Sequence, residues 1–213
     1  MTSKNALVAI AGALTLMAAL TTPVRTQAGK GLTDPNIAGE RDLLALPSMT
    51  PTIVKAMLEK RPFMSALELH AFLLGQKLTP QQAADFYGRA FVQINLNAGT
   101  SNEFAVIPGI ATRTPGEFAQ HRPWKNWGQF DNEIGKSVGQ PEAGRLKKYL
   151  FIPINLNTAM DEDILSIPGA GRSMVREFKE YRPWKSKAQF DKEIGKYVGP
   201  KETARLWRYV VIP

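Results

Sequence analysis

The run Ile167-Pro168-Gly169-Ala170-Gly171-Arg172 holds the residue types that a backbone anion site needs. Proline blocks continuation of a preceding helix, because it lacks an N–H and its ring clashes with the turn before it. Glycine reaches the positive φ that a tight helix–helix turn demands. The small apolar Ala170 between the glycines can plug a core. The helix that follows opens with unpaired N–H groups and the positive end of its dipole. Bare glycines let a phosphate come close to those amides. Arg172 adds a cation at once, and Arg182 and Lys185 fall where that helix ends. The competing use of such glycines is close helix packing alone.

The same arrangement recurs. Residues 94–153 laid over 154–213 without a gap agree at 28 of 60 positions. Ile94-Asn95-Leu96-Asn97 matches Ile154-Asn155-Leu156-Asn157, and Arg122-Pro123-Trp124-Lys125 matches Arg182-Pro183-Trp184-Lys185. This is an internal duplication. A worn copy covers residues 34–93: Asn36 falls on Asn97, Leu46-Pro47 on Ile107-Pro108, Arg61-Pro62-Phe63 on Arg122-Pro123-Trp124, and Ser65 on Asn126. The candidate anion positions of the second copy are Gly109, Ile110, Ala111 and Thr112, with Arg122 and Lys125 beyond them. Here Ala111 replaces the second glycine. The first copy has Ser48-Met49-Thr50 and no hairpin glycine.

The elements that must position these residues read as helices, and the fold class is all-α. In the third copy, Asn157 or Thr158 can cap a first helix with Asp161, Glu162 and Asp163 in its opening turn, where the dipole favours negative charge. A second helix runs from about Arg172 to Tyr181, with Met174, Val175, Phe178 and Tyr181 on one face. A third starts at Ser186, whose spacing to Gln189 is that of a capping box, as for Ser65 with Glu68 and Asn126 with Gln129. It is expected to end at Gly195, and a fourth to run from about Lys201 to Val210. No low-complexity linker separates the copies, so an elongated array with short joints is expected.

The net charge is +8. By segment it is +3 for residues 1–33, 0 for 34–93, +2 for 94–153 and +3 for 154–213. Basicity thus rises along the three copies, which suits a polyanion partner or a solvated basic surface. There are no cysteines and two histidines, His70 and His121, in different copies. Disulfides and thiolate chemistry are excluded, and a histidine metal cluster is not expected. No nucleophile–base pair or phosphate-loop lysine motif stands out, so an enzyme is not expected. Trp124 and Trp184 read as core plugs, and Trp127 and Trp207 as candidates for a partner surface. Lys4, the apolar run 6–20 and Thr26-Gln27-Ala28 read as an export signal over residues 1–28, giving a periplasmic or secreted protein; an uncleaved anchor is the alternative.

The sequence Ile-Asn-Leu-Asn-Thr-Ala, then Ile-Pro-Gly-x-Gly, then Tyr-Arg, resembles the helix-hairpin-helix domain of bacterial DNA-uptake receptors of the ComEA type. It is also similar to the extrinsic U subunit of photosystem II. The resemblance covers 94–213 well and 34–93 weakly. It implies tandem helix-hairpin-helix folds that hold double-stranded DNA by its phosphates without reading sequence, through Gly169, Ala170, Gly171 and Arg172 and their counterparts at 109–112. It implies no cofactor beyond a monovalent cation at a hairpin, and no small-molecule substrate. The photosystem subunit implies the other use of the fold, as a scaffold or extrinsic subunit for a periplasmic or membrane-complex protein. The family's second hairpin, a tight glycine-x-glycine, corresponds here to the longer run Gly195 to Gly199, and in the second copy to Gly135 to Gly139.

Overall fold

The computed structural model describes residues 31–212. The expected export signal lies outside them. The chain is mostly helical, with 55% helix against 5% strand. Segment one (34–93) contains α1 Glu40–Leu44, α2 Pro51–Lys60, α3 Ala66–Gly75 and α4 Pro80–Tyr87. Segment two (94–153) contains β1 Ile94–Asn95, α5 Ser101–Ala105, α6 Thr114–Gln120, α7 Trp127–Val138, α8 Gln140–Lys147 and β2 Leu150–Phe151. Segment three (154–213) contains β3 Ile154–Asn155, α9 Asp161–Leu165, α10 Arg172–Glu180, α11 Lys187–Trp207 and β4 Val210–Val211.

The strands qualify the all-α expectation. β1 pairs in parallel with β2, β3 with β4, and Thr33 bridges Ala90 in the same sense. Segments two and three are therefore closed by their own first residues lying beside their own last, and segment one by Thr33, just ahead of it, lying beside Ala90. Two-residue strands are too short to show an alternating pattern in sequence.

A second closure is made by one side chain. The Asn157 carboxamide donates to the Trp184 carbonyl at 3.0 Å and accepts from the Trp184 N–H at 2.6 Å. It thus pairs with the backbone as a strand residue would. Asn97 does the same to Trp124, at 2.9 and 2.6 Å. Asn36 does so to Phe63, at 3.0 and 2.7 Å. Asn157 or Thr158 was expected as the helix cap; the Asn157 carboxamide is engaged here instead, and α9 starts at Asp161 with Met160 at the cap position. The neighbouring arginine completes the closure. Arg182 donates to the Leu156 and Ala159 carbonyls at 2.7 and 2.6 Å, and Arg122 to Leu96 at 2.9 Å and Gly99 at 2.5 Å. Arg61 reaches the Pro35 and Ala38 carbonyls.

The expected third-helix caps are present. Glu68, Gln129 and Gln189 amides donate to Ser65, Asn126 and Ser186 side chains at 3.0, 2.8 and 3.1 Å. The next turn differs from expectation. Gly195 lies inside α11, with Thr203 Oγ1 3.7 Å from where a Cβ would be. The break is a single residue, Gly199, at φ 74° and ψ 170°. Gly139, at φ 85°, separates α7 from α8 in the same way. The second hairpin is therefore tight, not extended from Gly195.

Segments one and two share one apolar core, which includes Leu69, Phe86, Phe91, Phe118 and Trp124. Segment three has its own, around Phe178, Trp184, Phe190 and Leu206, with Phe151 reaching in from segment two. The joints repeat: Phe91 meets Tyr149 with ring centroids 5.0 Å apart, and Phe151 meets Tyr209 at 4.5 Å. Segments one and three also touch, at Ile37 and Gly169, a contact an elongated array does not provide.

Replacing Asn157 with alanine leaves the buried Trp184 N–H and its carbonyl without their partner. The expected cost is about 2–4 kcal/mol, read as a fall in the urea midpoint with little change of slope.

Candidate nucleic-acid interface

The first hairpin of each segment turns on one residue at positive φ: Ser48 at 62°, Gly109 at 68° and Gly169 at 80°. The turn is closed by the Met49, Ile110 and Ala170 amides, which donate to the Leu46, Ile107 and Ile167 carbonyls at 3.3, 3.2 and 3.0 Å. Ile110 and Ala170 are half-buried and pack onto the cores beneath, as plugs. Gly109, Ala111, Thr112, Gly169, Gly171 and Arg172 are exposed.

The helix starts after these turns divide the segments. In segment one, the Thr50 hydroxyl accepts the Ile53 amide and caps α2. Thr79 caps α4 with a reciprocal box to Gln82. The counterparts of Thr50 are Ala111 and Gly171, and those of Thr79 are Gly139 and Gly199. None can supply a side-chain acceptor. Accordingly α6, α8 and α10 start without a side-chain cap. Gly171 is extended, at φ −108°, and nothing lies within 4 Å of where its Cβ would stand. Hairpin two differs in detail. Pro115 cannot donate from deep in a helix, so α6 starts late, at Thr114, and the Thr114 amide donates to the Ala111 carbonyl in a turn ahead of it, at 3.0 Å.

The carbonyl side of each hairpin is held from within. Arg145 Nη1 donates to the Pro108 carbonyl at 2.7 Å while its Nε and Nη2 bond both Glu142 oxygens at 2.7 Å. Arg205 Nη2 donates to Pro168 at 2.7 Å, and Arg205 bonds Glu202 at 2.8 and 2.6 Å. The hydrogen bond from Arg145 holds the Glu142 carboxyl below its ordinary range. These guanidiniums put positive charge on the hairpin carbonyls. Both arginines are identical across the duplication, each with a glutamate three residues earlier, a signal the sequence reading passed over. Among the described residues no group of three His, Asp or Glu could hold a metal ion.

The remaining candidates separate. Arg122 and Arg182 are half-buried and turn their Nε and Nη2 groups to loop carbonyls of their own segments, so those donors do not face a guest. Lys125 and Lys185 are exposed, and their backbone amides donate to Gln129 and Gln189 at 3.0 and 2.8 Å. Trp124 and Trp184 are core, their indole N–H groups donating to Phe118 and Phe178 carbonyls at 2.8 and 2.7 Å.

Trp127 and Trp207 form a reciprocal pattern. Lys147 lies 5.7 Å from the Trp127 ring centroid, and Lys187 lies 5.6 Å from that of Trp207. Position 127 corresponds to 187, and 147 to 207. The two partners have exchanged places between segments. Each tryptophan leans on the equivalent phenylalanine, Phe130 or Phe190, at 5.4 and 5.2 Å. This assigns both tryptophans to an internal cation–π pair that joins the third helix to the fourth.

Hairpin three carries one more contact. A Cβ at Gly169 would meet Ile37 Cγ2 and Arg205 Nη2, each at 3.2 Å. Arg205 is fully buried there, whereas Arg145 in segment two keeps 32% of its side chain exposed. Beside Ile37, the half-buried Asp34 accepts the Asn36 amide at 2.8 Å, and burial pushes its carboxyl up despite that bond and Arg205 and Arg208 nearby. Asn95 and Asn155 fill the same position in the other segments and make the same bond, at 2.9 Å. Comparison with protein-family models, curated proteins and solved structures finds no match to this chain.

Two outcomes follow. The folded chain holds the Asp34 proton more tightly than the unfolded chain does. That contribution is complete below the ordinary value of 3.8 and is lost as pH rises through the raised one. Asp34→Asn should therefore raise Tm at neutral pH, and its advantage should shrink as the melts are repeated at falling pH. Trp127→Lys alone should destabilise, and adding Lys147→Trp should recover most of the loss. The coupling expected in a double-mutant cycle is about 1 kcal/mol.

Proposed function

We propose that the chain is an exported, non-catalytic protein of three helix-hairpin-helix repeats that holds double-stranded DNA by its phosphates, without sequence preference. One observation carries the reading. Where segment one fills the amides after its hairpins with Thr50 and Thr79 hydroxyls, segments two and three present glycine or alanine and leave α8 and α10 uncapped. Unfilled amides at a helix start, with the dipole behind them, favour an anion. The segments that keep these starts open are the basic ones, and the capped segment is neutral.

In this reading Gly171 and Arg172 form the best-placed seat. The backbone approach is clear at Gly171, and Arg172 is exposed beside it. Lys201, exposed behind the second hairpin at Gly199, adds a further cation. Gly109, Ile110, Ala111 and Thr112 contribute a turn in place of a helix start. Lys125 and Lys185 add charge, while Arg122 and Arg182 keep the loops in place. Contacts of this kind position a duplex without reading its bases. DNA uptake or extracellular DNA handling is the setting that fits an exported protein of this type. Among the described residues no helix is long and apolar enough to cross a membrane.

A second reading has its own support. Ile37 seats on hairpin three, so this turn accepts an apolar protein side chain as well as it could a phosphate. A periplasmic scaffold or extrinsic subunit would use hairpin two in that way.

Binding to random-sequence duplex at two salt concentrations separates them. With about 4–6 phosphates engaged, a fourfold rise in salt should lower affinity by on the order of 10²–10³. Gly171→Asp fits the extended backbone and supplies the missing cap. It should keep or raise Tm and weaken duplex binding roughly tenfold, about 1.4 kcal/mol. Absence of salt-sensitive binding by the parent chain would leave the scaffold reading.

A further inference from the structure

Segment three is joined to the rest by few apolar contacts. Its core is separate, and Phe151 against Tyr209 is the aromatic joint to segment two. Its contact with segment one is mainly polar. Arg208 Nη2 donates to the Gln93 carbonyl at 2.8 Å. Ile37 rests on the Gly169 turn. Around them, Asp34 Oδ2, Arg205 Nη1 and Arg208 Nη1 are buried with no hydrogen-bond partner among the described residues. An interface that buries polar atoms without pairing them gains little by closing.

We propose that the head of segment one, Asp34 to Ile37, is a releasable cap on hairpin three. Segment two already displays what hairpin three becomes when the cap leaves. There the same Arg145–Glu142 pair holds the same Pro108 carbonyl with the guanidinium partly in solvent. Gly109 has only Arg145 Nη2 near it, at 3.9 Å. The hairpin therefore does not need the cap for its own integrity. Ile37 keeps 44% of its surface exposed while docked and is not among the buried residues of the core that segments one and two share.

The residue at position 34 sets how firmly the cap sits. The groups facing Asp34 are Arg205, Arg208, Glu202 and Tyr209 of segment three and the Asn36 amide of its own loop. Burial raises the carboxyl against the pull of the Asn36 amide and the two arginines. Asparagine, present at 95 and 155, has no charge to desolvate. Position 34 is thus where segment one differs in charge from the other two segments at this contact. The link from an uncapped hairpin to phosphate access rests on the function proposed above; the cap itself does not.

The chain has no cysteine, so Lys55→Cys with Lys192→Cys takes two spin labels cleanly on exposed sites of segments one and three. Distances would be read in the full chain, alone and with Ile37→Glu or Asp34→Asn. Ile37→Glu should shift the population to longer, broader distances, with the helical circular dichroism unchanged. Asp34→Asn should narrow it. Identical distributions in all three would overturn the cap. A duplex titration of the same proteins separates the two readings. Responsive distances with no duplex binding keep the cap and remove the DNA function; unresponsive distances with salt-sensitive duplex binding do the reverse. If both hold, Ile37→Glu binds duplex severalfold more tightly than the parent.

Discussion

Each segment must cross from its opening loop to the junction of its second and third helices without a strand to guide it. Backbone groups buried at such a crossing have to be paired, since an unpaired amide costs as much as a lost hydrogen bond. An asparagine side chain solves this by offering one donor and one acceptor in the spacing of a peptide group. Asn36, Asn97 and Asn157 each pair both backbone groups of the aromatic residue 27 positions later. That aromatic is the plug of the local core, so the same contact fixes the chain crossing and the position of Phe63, Trp124 or Trp184. The adjoining arginine then gathers the loop carbonyls. The hairpins can be lean in side chains because their foundations are held elsewhere.

With the frame secured by repeated polar contacts, the helix starts after the turns are free to diverge. Segment one has Thr50 and Thr79 there; a hydroxyl cap contributes about 1 kcal/mol to a helix. It also keeps Ser48 at φ 62°, a conformation that costs a side-chain-bearing residue about 1–2 kcal/mol relative to glycine. Segments two and three invert the choice, with glycine at the turn and no cap at the start. Stability and an open amide site are alternatives at the same atoms. The segments have taken opposite sides of it, in step with their charge.

Much of the fold was legible because the duplication repeats what the structure needs. The Ser65, Asn126 and Ser186 caps, the extent of α10 and the burial of Trp124 and Trp184 follow from local chemistry and periodicity. Neither Asn157 nor Thr158 proved to be the cap, because the partner of Asn157 lies 27 residues away, whereas a cap is a common local use of asparagine. The run Gly195 to Gly199 looked like a long turn because two glycines were visible, whereas only Gly199 has a positive φ and Gly195 lies within α11. Trp127 and Trp207 read as candidates for a partner surface because neither has a tryptophan at its own counterpart. Their pairing appears only when two positions are compared together, since Trp–Lys at 127 and 147 becomes Lys–Trp at 187 and 207. The candidate site was legible at Gly169 to Arg172, where backbone chemistry is local. It was not legible at Asp34 and Ile37, whose partners belong to another segment and depend on how the segments curl.

That long-range contact changes what a glycine at 169 means. Its positive φ serves the turn in both segments, as Gly109 shows. Only at 169 does the missing Cβ also make room for another segment, since Ile37 would sit 3.2 Å from it. One turn geometry therefore presents two faces: amides toward the next helix, which the proposed function gives to an anion, and a bare Cα toward the side, where at Gly169 an apolar side chain lies. The faces are adjacent but not identical, which is why Gly171 stays clear while Gly169 is engaged. Under the proposed function, a phosphate-gripping turn and a protein-docking turn thus need no different backbone. The difference lies in which neighbour carries the isoleucine and which helix start carries the hydroxyl, and both are settled by single residues outside the turn itself.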